Sequence, residues 1–121
     1  VMVEAGYVLA RSPDTVRAPD VSFLASSRIP PEGLPDGFIT GAPDLAVEIV
    51  SPDDTATEID VKVQESLRAG ARLVVVVQPK TRTLTIYPPD GTARVLQAAD
   101  RFEAGDVVPS FSLRVEDLFS A

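Results

Sequence analysis

The chain has 121 residues, 45% of them apolar and 24% charged, with a formal net charge of −7. That is one domain's length and an ordinary globular composition, able to bury roughly 65% of the surface of the extended chain. Cysteine and histidine are both absent, which excludes disulfides, thiolate or imidazole metal sites and every nucleophile–imidazole pair.

Residues 1–10 read as a strand, and Ser12-Pro13-Asp14 as a turn. Residues 15–25 read as a second strand forming a hairpin with the first. Pro19 has no N–H to donate, so it marks an edge or a bulge. Residues 26–41 hold three prolines and three glycines, a loop with room for one short helical turn. Residues 44–50 form a third strand, with Leu45, Val47 and Ile49 on one face and Asp44, Ala46, Glu48 and Val50 on the other.

Ser51-Pro52-Asp53-Asp54 offers cap residues ahead of a helix over 55–69, buried through Ile59, Val63 and Leu67. Gly70 suits its C-terminal cap. Residues 73–77 are apolar on both faces, as in a central covered strand. Strands are expected at 83–87 and 92–97 around a Pro89-Asp90-Gly91 turn, and 107–119 reads as a short strand with a terminal helical turn. The order predicts an α/β (α+β) fold: a mixed sheet with a helix packed on it. No repeat, linker, secretory leader or membrane-length apolar run stands out, so the cytoplasm is the expected compartment and no membrane partner is expected.

Asp20 and Glu48 stand out as carboxylates flanked by apolar strand residues, which are costly to bury unless something positive meets them. A solvated strand face is the plain alternative. Asp20 on a neighbouring strand would come within about 5 Å of Glu48. Asp44 points the same way as Glu48 but lies about 13 Å along the strand, which makes it a weaker third candidate. Lys62 sits at the border of the helix's buried stripe and either reaches over the sheet or pairs with Glu58 or Glu65 on the surface. Carboxylates of this kind suit Mg2+ or Mn2+. The net acidity counts mildly against phosphate binding, although an ion site looks acidic until it is filled.

The run from Pro43 to Pro52 (Pro-Asp-Leu-Ala-Val-Glu-Ile-Val-Ser-Pro), then Asp60-Val61-Lys62 and Ala69-Gly70, resembles the Uma-two family of restriction-endonuclease-like proteins. That family is a lineage of the PD-(D/E)XK nuclease superfamily. Ala18-Pro19-Asp20-Val21 also fits, and the similarity extends over about residues 8–119. The parent superfamily carries a lysine two positions after the glutamate, where this chain has Val50. The resemblance implies that Lys62, on the helix, takes over that role. It further implies a restriction-endonuclease-like fold and a Mg2+-dependent (or Mn2+-dependent) endonuclease acting on DNA. Asp20, Glu48 and Lys62 would then be catalytic, Asp20 and Glu48 would hold the metal with Asp44 as a third candidate, and a homodimer is allowed for.

Ser66 replaces the family's usual helix tyrosine, and Val74, Val75 and Gln78 replace a Tyr-Trp pair and an aspartate. The resemblance also places a further N-terminal helix and hairpin ahead of the matched region. A chain beginning within that fold would leave an apolar edge near Val1, Val3 and Val8. These departures keep a second reading open, a catalytically silent binding or interaction module.

Overall fold

The computed structural model describes residues 2–3, 5–10, 15–33, 37 and 39–119. Its centre is a six-stranded mixed sheet in the order β1-β4-β6-β7-β8-β9. The strands are β1 (Met2–Val3), β4 (Val21–Phe23), β6 (Leu45–Ile49), β7 (Leu73–Gln78), β8 (Thr83–Tyr87) and β9 (Arg94–Leu96). β6 and β7 run parallel and are joined by helix α1 (Ala56–Arg68); every other pairing in this sheet is antiparallel. A smaller sheet joins β2 (Tyr7–Ala10), β3 (Thr15–Arg17) and β5 (Ile39–Thr40), and β10 (Arg101–Glu103) pairs with β11 (Ser112–Arg114).

The two expected N-terminal strands do form a hairpin, but each is broken in the middle. Tyr7 pairs with Arg17 and Val8 with Val16 in the small sheet, while Val3 pairs with Val21 and Met2 with Ser22 in the large one. Both pairings keep one register, so a single hairpin bends and passes from one sheet to the other. Pro19, without an N–H for the ladder, lies at the break in the second arm. The expected apolar edge near the start is not seen at Val8, which is buried. Val1 and the side chain of Val3 lie outside the described residues.

α1 forms where the spacing predicts. Ile59 and Val63 are buried and Leu67 is packed beside them, against Ala46, Val74 and Val76 of the sheet. Each such side chain contributes on the order of 1.5–3 kcal/mol when fully buried. The cap differs from expectation. Thr55 is the N-cap: its hydroxyl accepts from Glu58 N–H at 3.1 Å and donates to the Glu58 carboxylate at 2.9 Å. Ser51 and Asp54 instead close their own turn, with Ser51 N–H donating to Asp54 Oδ2 at 2.9 Å. A threonine followed three residues later by a glutamate satisfies two groups at once, which the Ser51–Asp54 run cannot do for this helix.

At the other end Gly70 N–H donates to Leu67 O and Ala71 N–H to Ser66 O, at 3.1 and 3.0 Å. This is a Schellman ending, and Gly70 adopts φ +108°, a conformation that side chains resist.

The opposite face of the sheet is covered by the C-terminal segment. Leu45, Leu73, Val75, Val77 and Leu84 pack there with Leu96, Phe102 and Val115. The last described element is a 3-10 turn at Val115–Phe119. β10, which falls between the elements expected from the sequence, contributes the single buried residue Phe102 between two exposed charged ones. Three residues with one apolar position give too short a pattern to mark a strand.

Candidate active site

Glu48 lies near the end of β6, on the face turned toward α1, and it is only 8% exposed. Its face follows from the alternation along β6, which sends Leu45 into one apolar cluster and Ala46 into the other. The β4–β6 ladder runs to the Val21–Val47 pair. Beyond it Asp20 stands level with Glu48, and the Asp20 carboxylate Oδ2 accepts from the Ile49 N–H at 2.7 Å. Asp20 thus acts as a surrogate ladder acceptor at the hairpin break, and this bond fixes its carboxylate beside the end of β6.

Burial pushes the Glu48 carboxyl up to about 7. The Lys62 ammonium opposes that shift most strongly, and Asp20 and then Asp54 reinforce it, with Arg17 pulling the other way. Repulsion between the two acids is therefore the smaller effect, and loss of water the larger. Among the described residues none donates a hydrogen bond to the Glu48 carboxylate.

The alternatives for Lys62 are now separable. Glu65 is held by Arg17, at 2.7 and 3.2 Å through two guanidinium nitrogens, and Glu58 is held by Thr55. Lys62 forms no ion pair within 4 Å among the described residues. Its charge acts instead on Glu48 and on Asp54, whose carboxyl is lowered first by the Ser51 N–H and also by Lys62. The structure therefore brings Asp20, Glu48 and Lys62 together and adds Asp54 and Arg17 to the same field. Asp54 had read only as a cap residue and Arg17 only as a strand residue. Neither carries a sequence signal, because their approach depends on the turn after β6 and on the bend in the hairpin.

Asp44 is placed elsewhere. Its Oδ2 accepts from Ala25 N–H at 2.7 Å and its Oδ1 meets Arg28 Nη1 at 3.3 Å, while Arg28 Nη2 donates to Ala42 O at 2.8 Å. These contacts latch the start of β6 to the segment after β4. Replacing Asp44 with Asn removes the charge of the buried partner in this pair, whose Arg28 is itself exposed. It should lower stability by about 1–3 kcal/mol in denaturant titration while leaving any thermal response to Mg2+ unchanged. An Asp44→Asn protein that folds as well as wild type and loses its metal response would instead place Asp44 in the ion site.

Among the described residues no group of three or more acids is spaced to hold a metal ion, and the two carboxylates that stand level with each other are Asp20 and Glu48. An apolar cleft of about 320 Å³ lies on the other face of the sheet, lined by Val47, Ile49 and Phe111 among others. It is screened from Glu48 by the sheet itself.

The family model described as "Putative restriction endonuclease", Uma2, matches residues 1–116. The chain belongs to the Uma2 family. A search of the curated proteins found no match. Among solved structures, this Uma2 chain is similar to a protein described as a putative nuclease belonging to DUF820, from Anabaena variabilis. The two share 25% identity with a TM-score of 0.85 over 98% of this chain. The chain spans 66% of that protein's length. The fold is thus the restriction-endonuclease-like mixed arrangement expected from the sequence. Among the described residues no helix is long and apolar enough to cross a membrane.

Proposed function

We propose that this Uma2 domain is a divalent-metal-dependent endonuclease that hydrolyses DNA phosphodiester bonds, with Asp20, Glu48 and Lys62 as its working residues. The observation that supports this most is Glu48: a buried carboxylate raised to about 7, level with Asp20 and acted on by the charge of Lys62, which has no ion pair among the described residues. A purely structural acid at such a depth would be matched by a close ion pair or by backbone donors, as Asp44 is.

The donor set fits Mg2+ or Mn2+. Mg2+ keeps several of its waters and asks for only one or two protein carboxylates plus substrate phosphate oxygens, so a pair of acids suffices where a larger cluster is lacking. Asp20 and Glu48 would hold the ion. When bound, the ion would supply Lewis acidity toward the phosphate and lower the pKa of a water.

Each residue then has a part. Glu48 gives up its proton as the cation arrives, so the site is close to neutral when empty and anionic when it must hold charge. Asp20, fixed by the Ile49 N–H, keeps its oxygens aimed without a further ordering cost. Lys62 meets the charge that grows on the phosphate as a water oxygen bonds to phosphorus and one ester bond breaks. The attacking water gives up a proton to solvent, and the leaving oxygen takes one up.

The test is nicking of supercoiled plasmid by the full-length protein with Mg2+, Mn2+ or EDTA. Metal-dependent nicking is expected, lost in EDTA. A protein that binds Mg2+ yet cuts neither DNA nor RNA would give way to the second reading, a silent interaction module, which the net charge of −7 favours.

A further inference from the structure

A second cleft, of about 340 Å³, opens between the first half of α1 and the ends of β7 and β8. It abuts the candidate active site. Glu48 pairs with Val76 across the parallel ladder, and Val76 pairs with Thr85. These three residues form one row on the helix-facing side of the sheet, with strands about 4.8 Å apart. Val76 and Thr85 line the cleft, and so does Asp54, whose charge already acts on Glu48.

The lining is chemically specific. Val76 and Ile59 supply apolar walls, the Tyr87 ring a flat one, and Gln78 and Thr85 neutral hydrogen-bonding groups. Asp54 and Asp60 add carboxylates. The Tyr87 hydroxyl is raised by burial and by Asp60, so it remains a donor. Two acids repel a phosphate or a carboxylate ligand, and the cleft is too small for a duplex. A planar heterocycle carrying an amino group matches it: apolar faces, one aromatic wall, an amide for its edge and carboxylates for its N–H donors. The volume falls at the lower end of the range for small-molecule sites, about 300–1,000 Å³. The turn after Gln78 carries Lys80 and Arg82, neither paired with an acid among the described residues. Both follow the cleft residue Gln78 within four positions, outside the acidic lining.

We propose that this cleft receives one unstacked, amino-bearing nucleobase, cytosine, adenine or guanine, next to the phosphate at Glu48. The inference rests on the nucleic-acid reading above and adds a base-recognition pocket to it. Enzymes that act at single nucleotides draw a base from its stack into pockets of this kind, reading its edge by hydrogen bonds. Thymine lacks the amino group and is the disfavoured occupant.

The test is equilibrium fluorescence anisotropy on the wild-type protein in EDTA, where no cutting occurs. The probes are labelled short single strands: oligodeoxycytidine, oligodeoxythymidine and an abasic phosphodiester strand. From the usual strength of base stacking, oligodeoxycytidine should bind roughly 5- to 150-fold tighter than the abasic strand, with oligodeoxythymidine between them. Tyr87→Leu and Gln78→Leu should erase that gain and leave the abasic affinity unchanged, whereas Tyr87→Phe, which keeps the ring, should retain most of it. Equal binding of all three strands overturns the pocket and leaves the nuclease reading standing, as does a base preference that survives both leucine variants. Failure of every strand to bind, the abasic one included, overturns the pocket, and the Mg2+-dependent nicking of plasmid then decides the nuclease reading by itself.

Discussion

Glu48→Gln should abolish cleavage, lowering the rate by at least about a thousandfold, while making the metal-free protein more stable at neutral pH. The two effects have one cause. The Glu48 carboxyl titrates at about 7 in the folded chain, against an ordinary value of 4.5. Between those values the folded state binds more protons than the unfolded one, so stability falls as pH rises through that window. The shift corresponds to about 3 kcal/mol if fully expressed, and solvent reaching the carboxylate reduces this to about 2 kcal/mol. The amide keeps the shape, has no charge to desolvate, and should show no such decline. Chemical denaturation from pH 4 to 8 checks this. A wild-type curve parallel to that of Glu48→Gln throughout would mean that Glu48 is an ordinary solvated acid.

Lys62→Met should separate binding from chemistry. The methionine preserves the aliphatic stem against α1's border, and removes only the ammonium that acts on Glu48 and Asp54. The rate at saturating DNA and Mg2+ should fall by roughly a hundredfold, the loss of about 2.7 kcal/mol of charge stabilisation in the transition state. The Glu48 carboxyl should rise further above 7, since its strongest counter-charge is gone, and the bell of activity against pH should move up with it. A Lys62→Met enzyme as fast as wild type would return Lys62 to the surface role that its helix position also allows.

Much of this fold is legible from alternation alone. The two faces of β6, the buried stripe of α1 and the doubly covered β7 follow from spacings of two and of three to four residues, because one side of each element must meet apolar neighbours. What escapes is decided by other contacts. The break in the N-terminal hairpin is visible at Pro19 only as a missing donor, and nothing local says that the arm changes sheets there. β5 and β10 are too short for a pattern.

The site divides in the same way. Asp20, Glu48 and Lys62 were singled out as charges in apolar or border positions, and the family resemblance joined them. Their convergence depends on the register of β4 against β6 and on the angle of α1. Asp44 lies on the same strand face as Glu48, two periods of the alternation earlier, and is the weaker candidate in the sequence. The difference between them is Arg28, which comes from a 3-10 turn in a loop and meets Asp44, while among the described residues no arginine meets Glu48 at that distance. Arg17 and Asp54 likewise enter the site only through the folded path of the chain.

Glu48 should hold a proton which a divalent cation displaces. The most direct test is isothermal titration of Mg2+ into the metal-free protein near pH 6.5, in buffers of different ionisation enthalpy. The apparent binding enthalpy should vary linearly with buffer enthalpy, with a slope that reports release of between half and one proton in wild type and none in Glu48→Gln. The cation should also raise the melting temperature of wild type alone. Mg2+ binding without proton release, or identical binding to wild type and Glu48→Gln, would contradict the account.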